Sequence, residues 1–175
     1  DDYDFDGVMN AVIKDSEIVD RGIARVRYLP YFSGEGDEET LTDAKTVTEH
    51  VLWRDFRHGP GRFWGEVPWI AFRHYLSKDE LAKLVADNPQ PIDLEQVPFN
   101  YSSDGTSSDR DRDAKADVFK RAMVWEIWDK DGKKVLFICQ DYHERVLKTE
   151  DDPLQLTNFF PIPKPLQSIE QTGSL

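Results

Sequence analysis

The chain has 175 residues, 39% hydrophobic and 32% charged, a length and balance that allow a packed core without staples. Its 34 acidic against 22 basic side chains leave a formal net charge of -12, a field that repels polyanions and opposes nonspecific binding to nucleic acid. One cysteine, Cys139, excludes an internal disulfide framework and a multi-thiolate zinc cluster, and no apolar run approaches the roughly 20 residues that cross a bilayer.

Over residues 3–18 the apolar side chains Phe5, Val8, Met9, Val12 and Ile13 recur at helical spacing, with acidic residues at the start, where the helix dipole favours them. Gly22 is placed to stop this helix, and Arg25 and Arg27 alternating with Ala24, Val26 and Tyr28 predict a strand over 23–32. Residues 33–39 form an acidic, Gly-rich loop, so the β-branched and aromatic run at 46–56 is expected to pair back as a hairpin. His58-Gly59-Pro60-Gly61 demands a turn before the apolar run at 67–76.

At Ser77 the period changes. Ser77 with Glu80 fits a capping box, Leu81, Leu84 and Val85 share one helical face, and Asn88-Pro89 ends the helix. Residues 99–117 are polar and charged, with little to offset ordering entropy, and read as a mobile insertion. The strongest local signal follows: runs at 122–128 and 134–140 flank Asp129-Lys130-Asp131-Gly132, where the glycine is expected to supply the positive φ of a hairpin turn. The second strand is expected to run on through 142–147, and the alternate prolines Pro161, Pro163 and Pro165 forbid helix and favour an extended path.

The sequence carries no catalytic, cofactor or metal motif. Gly59-Pro60-Gly61-Arg62 has neither phosphate-loop nor dinucleotide-binding spacing, and Pro60 lacks the backbone donor such a cradle uses. The histidines His50, His58, His74 and His143 fall in no ligand pattern. Glu49, Asp55, Glu66, Glu126 and Asp141 lie on or beside expected strands, but a carboxylate pair facing across a substrate has no sequence signature. Cys139 sits in an apolar run and reads as a buried thiol.

The feature most at odds with an acidic chain is the aromatic and basic cluster Trp53, Arg54, Phe56, Arg57, His58, Arg62, Phe63, Trp64, Trp69, Phe72, Arg73 and His74. Interleaved Arg and aromatic residues either stack on bases or sugars, anchor a protein interface, or pack a core sheet. Core or subunit interface is the preferred reading, extended to Trp125, Phe159 and Phe160; core burial of Trp69 and Trp125 is expected, with a stability loss on truncation.

Leu52-Trp53-Arg54-Asp55-Phe56 followed by Val67-Pro68-Trp69-Ile70-Ala71-Phe72-Arg73-His74-Tyr75-Leu76 resembles a tryptophan-rich stretch of portal proteins from short-tailed and related phages. Trp125-Glu126-Ile127-Trp128-Asp129 leading to Lys134-Val135 is similar to the hairpin that follows it in that family. Asp152-Pro153-Leu154 with Asn158-Phe159-Phe160-Pro161-Ile162-Pro163-Lys164-Pro165-Leu166, and Arg21-Gly22-Ile23-Ala24-Arg25-Val26-Arg27-Tyr28 near the start, complete four phrases in the family's order.

The resemblance implies a wing-region segment of a non-enzymatic, commonly dodecameric ring at one capsid vertex. Such a ring docks terminase and then head-to-tail adaptors, and lets double-stranded DNA pass without sequence preference. It also implies a virion protein assembled in the host cytoplasm, with neither cofactor nor membrane. The expected fold is α+β: a mostly antiparallel, partly mixed sheet of strands near 23–32, 46–56, 67–76, 122–129 and 133–140, packed by helices at 3–19 and 78–87. The expected organisation is a helix and first strands over 1–98, the insertion at 99–117, a completing hairpin at 118–150 and an extended segment at 151–175 leading to a further domain. A carbohydrate- or nucleic-acid-binding module using the cluster at 53–74 is the alternative, and would line an exposed groove with Trp53, Trp64 and Trp69.

Overall fold

The computed structural model of the chain describes residues 4–33, 40–88, 91–102 and 120–166, with side chains for all of these except 29–33 and 40–43. The fold is α+β with antiparallel sheets. The strands expected in one sheet form two, a two-stranded ribbon and a five-stranded sheet. They belong to two compact units, residues 1–54 with 160–175, and residues 55–159. The acidic loop and the polar insertion fall, apart from Ser33 and residues 99–102, outside the described residues.

In the first unit, helix α1 (Phe5–Val19) starts at Asp4, whose carboxylate accepts the Gly7 N–H at 2.8 Å. The helix ends at Asp20, which takes the left-handed conformation at φ 57°, so Asp20 and not Gly22 makes the stop. Gly22 serves a different need: a Cβ there would lie 2.1 Å from the Val12 carbonyl oxygen of α1. Strands β1 (Ile23–Ser33) and β2 (Thr40–Val51) pair antiparallel from Ile23↔Val51 outward. α1 packs on this ribbon through buried Val12 and Ser16, and Asp15 meets His50 Nε2 of β2 at 2.7 Å.

The proline-rich segment completes the unit as an extended edge beside β1. Gly22 and Leu166 exchange both backbone hydrogen bonds at 2.8 Å, and Pro161 O accepts the Val26 N–H at 3.1 Å. Phe160, Pro161 and Ile162 are buried.

In the second unit the order is β3 (Phe56–His58), β4 (Trp69–Leu76), β5 (Ala122–Asp129), β6 (Lys134–Cys139) and β7 (Lys148–Asp151), every neighbour antiparallel. Side chains alternate, so the register sorts them by face. Phe56, Ile70, Phe72, Val124, Glu126, Trp128, Val135 and Cys139 share the core face and are all buried. Helix α2 (Lys78–Val85) covers that face with Leu81 and Val85, together with Val97, Tyr142 and Leu147. Ser77 closes a capping box with Glu80. Trp128 meets Phe159 edge-on at 5.4 Å.

Three sequence expectations shift here. The β5–β6 turn places its positive φ at Lys133, at 49°, and not at the glycine beside it. The strand beyond residue 140 does not continue; 142–147 is irregular and a separate polar strand, β7, closes the sheet. Trp69, 37% exposed, and Trp125, only partly buried, both leave the core, because alternation sends Ile70 and Phe72 on β4 and Val124, Glu126 and Trp128 on β5 inward.

Candidate interaction surface

The face of the second sheet opposite the core carries Arg57, Ala71, Arg73, Tyr75, Met123, Trp125, Ile127, Leu136 and Ile138. Its centre is a ladder of guanidinium groups and rings. Arg57 and Arg73 lie over the Trp125 ring at 5.9 and 5.7 Å, and Arg73 also lies 5.4 Å from the Tyr75 ring. The ladder forms because Arg73 and Trp125 are directly paired across β4 and β5 while Arg57 lies one strand further out.

Each rung is held by a second contact. Arg73 donates Nε and an Nη to Asp55 Oδ1 at 2.9 and 2.6 Å. Both side chains of that pair are mostly buried, which strengthens a charge-assisted bond relative to a surface one. Trp125 Nε1 donates to Gln140 Oε1 at 2.9 Å, and Arg57 donates to the Phe56 carbonyl at 2.8 Å. Tyr75 continues the row to Tyr101, ring centroids 6.1 Å apart. Burial raises the Tyr101 hydroxyl above its ordinary range, and the Asp141 carboxylate hydrogen-bonded to it adds to that.

The β3–β4 connection is the second feature of this unit. Its tip carries Arg62, Phe63 and Trp64, and Phe63 is 72% exposed, the most exposed of the described large hydrophobic side chains. The tip is tightly fastened. Gly59 N donates to Trp69 O at 2.8 Å, Arg62 N to Glu66 Oε2 at 3.0 Å, Glu66 N to Phe63 O at 2.9 Å and Lys130 Nζ to Gly65 O at 2.6 Å. The Trp64 ring sits edge-on to His58 at 6.4 Å.

The sequence cluster therefore divides. Arg57, Arg73 and Trp125 come together in the ladder, and Arg62 and Trp64 in the fastened tip beside Trp69. Trp53 and Arg54 are exposed and belong to the other unit. Phe159 packs the core of the second unit, and Phe160 is buried in the first.

No family model and no curated protein matches this chain.

The carboxylates singled out in the sequence each have a partner of their own. Asp55 holds Arg73, Glu49 holds Arg27 at 3.0 Å, Glu66 holds the Arg62 N–H, and Glu126 accepts from His74 and Trp128. Among the described residues no group of three or more His, Cys, Asp or Glu is placed to hold a metal ion, and no helix is long and apolar enough to cross a membrane. Sequence reasoning missed an open groove of about 390 Å³ lined by Asn88, Ile92, Arg145, Val146, Leu147 and the start of β7. Its residues come from two stretches more than 50 residues apart, around 88–92 and 145–149, so no local pattern announces it.

Proposed function

We propose that the chain is a structural segment of a phage portal ring, acting by shape and assembly at the vertex through which double-stranded DNA is packaged and ejected. The observation that carries the reading is the order of four portal-like phrases along one chain, at 21–28, 52–76, 125–135 and 152–166. Two of these phrases supply the strands β4, β5 and the start of β6, and a third is the extended segment along β1. A surface of arginines and rings locked in place by Asp55 and Gln140 suits subunit contacts, where Arg, Trp and Tyr concentrate binding energy.

The net charge of -12 also suits a conduit, since duplex must slide past its wall and fixed cationic contacts would retard it. In this reading the ring docks terminase during packaging and head-to-tail adaptors afterwards. Electron microscopy of the full-length product tests it: rotationally symmetric rings are expected, and particles without rotational symmetry overturn it.

A carbohydrate- or nucleic-acid-binding module is the second reading, favoured by the exposure of Phe63 and Trp69 in the second unit. Tryptophan fluorescence titration with oligosaccharides and single-stranded oligonucleotides separates the two. Saturable quenching, lost on truncating Trp69, would favour the module; a flat titration favours the ring.

A further inference from the structure

The fastened tip and the open groove lie at opposite edges of one sheet. The tip grows from β3 and β4, the first two strands in the sheet order, and the groove borders β7, the last. We infer that Phe63 of one copy of this chain seats in the groove at 145–149 of a second copy, making a head-to-tail contact. This deepens the ring-subunit reading, and rests on it only for the closure of successive contacts into a ring.

Size and chemistry match. A groove of about 390 Å³ has room for one phenyl ring and part of its flanks, and Ile92 and Val146 give it apolar surface, while the Leu147 side chain is itself buried in the core. Val146 is 39% exposed, an apolar side chain at the mouth where a ring would cover it. Arg145, bonded to the Pro91 carbonyl, and Lys148, paired with Glu150 at 2.8 Å, put two cationic side chains at the groove, opposite in charge to Glu66 of the tip. The tip needs little ordering on binding, since Gly59, Arg62, Phe63, Gly65 and Glu66 are already tied by hydrogen bonds. A held, exposed aromatic next to an arginine is the composition of an interface anchor.

The geometry dictates the symmetry. A knob on one edge and a hole on the other cannot satisfy each other within a two-fold dimer using one patch, so the contact is heterologous and repeats. Repetition gives a ring where the rotation closes and a filament where it does not.

Sedimentation of the full chain over a concentration series tests this with Phe63→Lys and Val146→Lys. Wild type is expected to grow past the dimer with concentration, and each variant to associate at least tenfold more weakly. An equimolar mixture of the two variants is expected to stop at 1:1 dimers, because one intact tip and one intact groove remain. Phe63→Trp is expected to keep association. Both positions are exposed, so unchanged melting checks the fold; if either lysine variant melts lower, Phe63→Cys mixed with Val146→Cys under mild oxidant reads the same contact as a covalent dimer, Cys139 being buried.

A monomeric wild type, wild-type association in either lysine variant, or a mixture that neither dimerises nor cross-links overturns the contact. The two readings fail separately. Symmetric rings that survive Phe63→Lys keep the ring and sink this contact, whereas dimers in the mixture with open wild-type filaments keep the contact and sink the ring.

Discussion

His74 Nε2 lies 2.8 Å from Glu126 Oε2 across the β4–β5 pair, and the other carboxylate oxygen accepts Trp128 Nε1 at 2.7 Å. Glu126 is 5% exposed on the core face, where a carboxylate is tolerated only when donors reach it. Glu126→Ala is expected to cost about 2–3 kcal/mol, because it leaves the Trp128 indole N–H buried without an acceptor. Glu126→Gln keeps one acceptor oxygen and is expected to cost about half as much. Urea unfolding of the two variants checks the order, and equal losses would place the cost in packing instead.

The capping box of α2 gives a pH-dependent contribution with a definite sign. The Ser77 backbone N–H and then its hydroxyl, both 2.8 Å from Glu80 Oε2, hold the Glu80 carboxyl below its ordinary 4.5. Partial burial opposes this, and the charges of Arg121 and Lys83 add to it weakly. A lowered folded pKa means the stabilisation is present above the unfolded value and is lost as pH falls through the folded one. Glu80→Gln is therefore expected to lower the melting temperature at pH 7, where that contribution is complete, and to flatten its fall below about pH 4.5, so that the variant and wild type converge at low pH. Ser77→Ala is expected to cost about 1 kcal/mol at neutral pH.

In the ladder, the two guanidinium groups are not equivalent. Arg73 is mostly buried and doubly bonded to Asp55 Oδ1, whereas Arg57 is exposed. Arg73→Lys keeps the charge but loses the planar group over Trp125 and Tyr75, and is expected to cost about 1 kcal/mol. Arg57→Ala is expected to stay within about 0.5 kcal/mol. A double-mutant cycle on Arg73 and Trp125 should return a coupling of about 0.5–1 kcal/mol, and a coupling near zero would show the rings to be bystanders.

Much of the fold is legible because the signals are local. The β5–β6 hairpin follows from alternation and a turn between Asp129 and Lys134, α1 from its apolar spacing, and α2 from Ser77 and Glu80. What stays hidden is long-range. The run at 46–56 reads as one strand, yet β2 and β3 belong to different sheets, a division set by partners far along the chain. Trp69 is placed outward because Ile70 and Phe72 take the inward parity, and a strand with aromatics on both faces does not declare which parity wins. β7, Lys-Thr-Glu-Asp, has no apolar residue at all, the polar dress of an edge strand. Arg73 and Trp125 were visible as candidates, but their pairing depends on the β4–β5 register, and the groove at 145–149 on the end of that same sheet.

Cys139 is 1% exposed, and burial raises its thiol above the ordinary 9.0. The native protein is accordingly expected to leave a thiol reagent at pH 8 unreacted and to react fully in denaturant, because the thiolate is the attacking form. Rapid labelling of the folded chain would show that β6 opens at its end. Since the folded value is raised, its contribution to stability is complete below the unfolded pKa and is lost as pH climbs through the folded one.

Gly22 carries the sharpest steric prediction. It is buried at the foot of β1, bonded through both backbone groups to Leu166, and faces α1 so closely that an added Cβ would meet Val12 O at 2.1 Å, Val12 C at 3.0 Å and Val12 Cγ1 at 2.9 Å. Two of these three atoms are backbone, so a rotamer change cannot relieve the overlap. Either α1 moves off the ribbon, or the Gly22–Leu166 pair opens. Gly22→Ala is expected to cost about 3 kcal/mol, the upper range for an overpacked site, in spite of alanine's lower unfolded-chain entropy, which favours the folded state. Gly65→Ala is the matched control: its added Cβ meets nothing within 4 Å, and its unfolding is expected to stay within about 0.5 kcal/mol of wild type. Equal melting of the two variants would mean that α1 is not seated on Gly22 in solution.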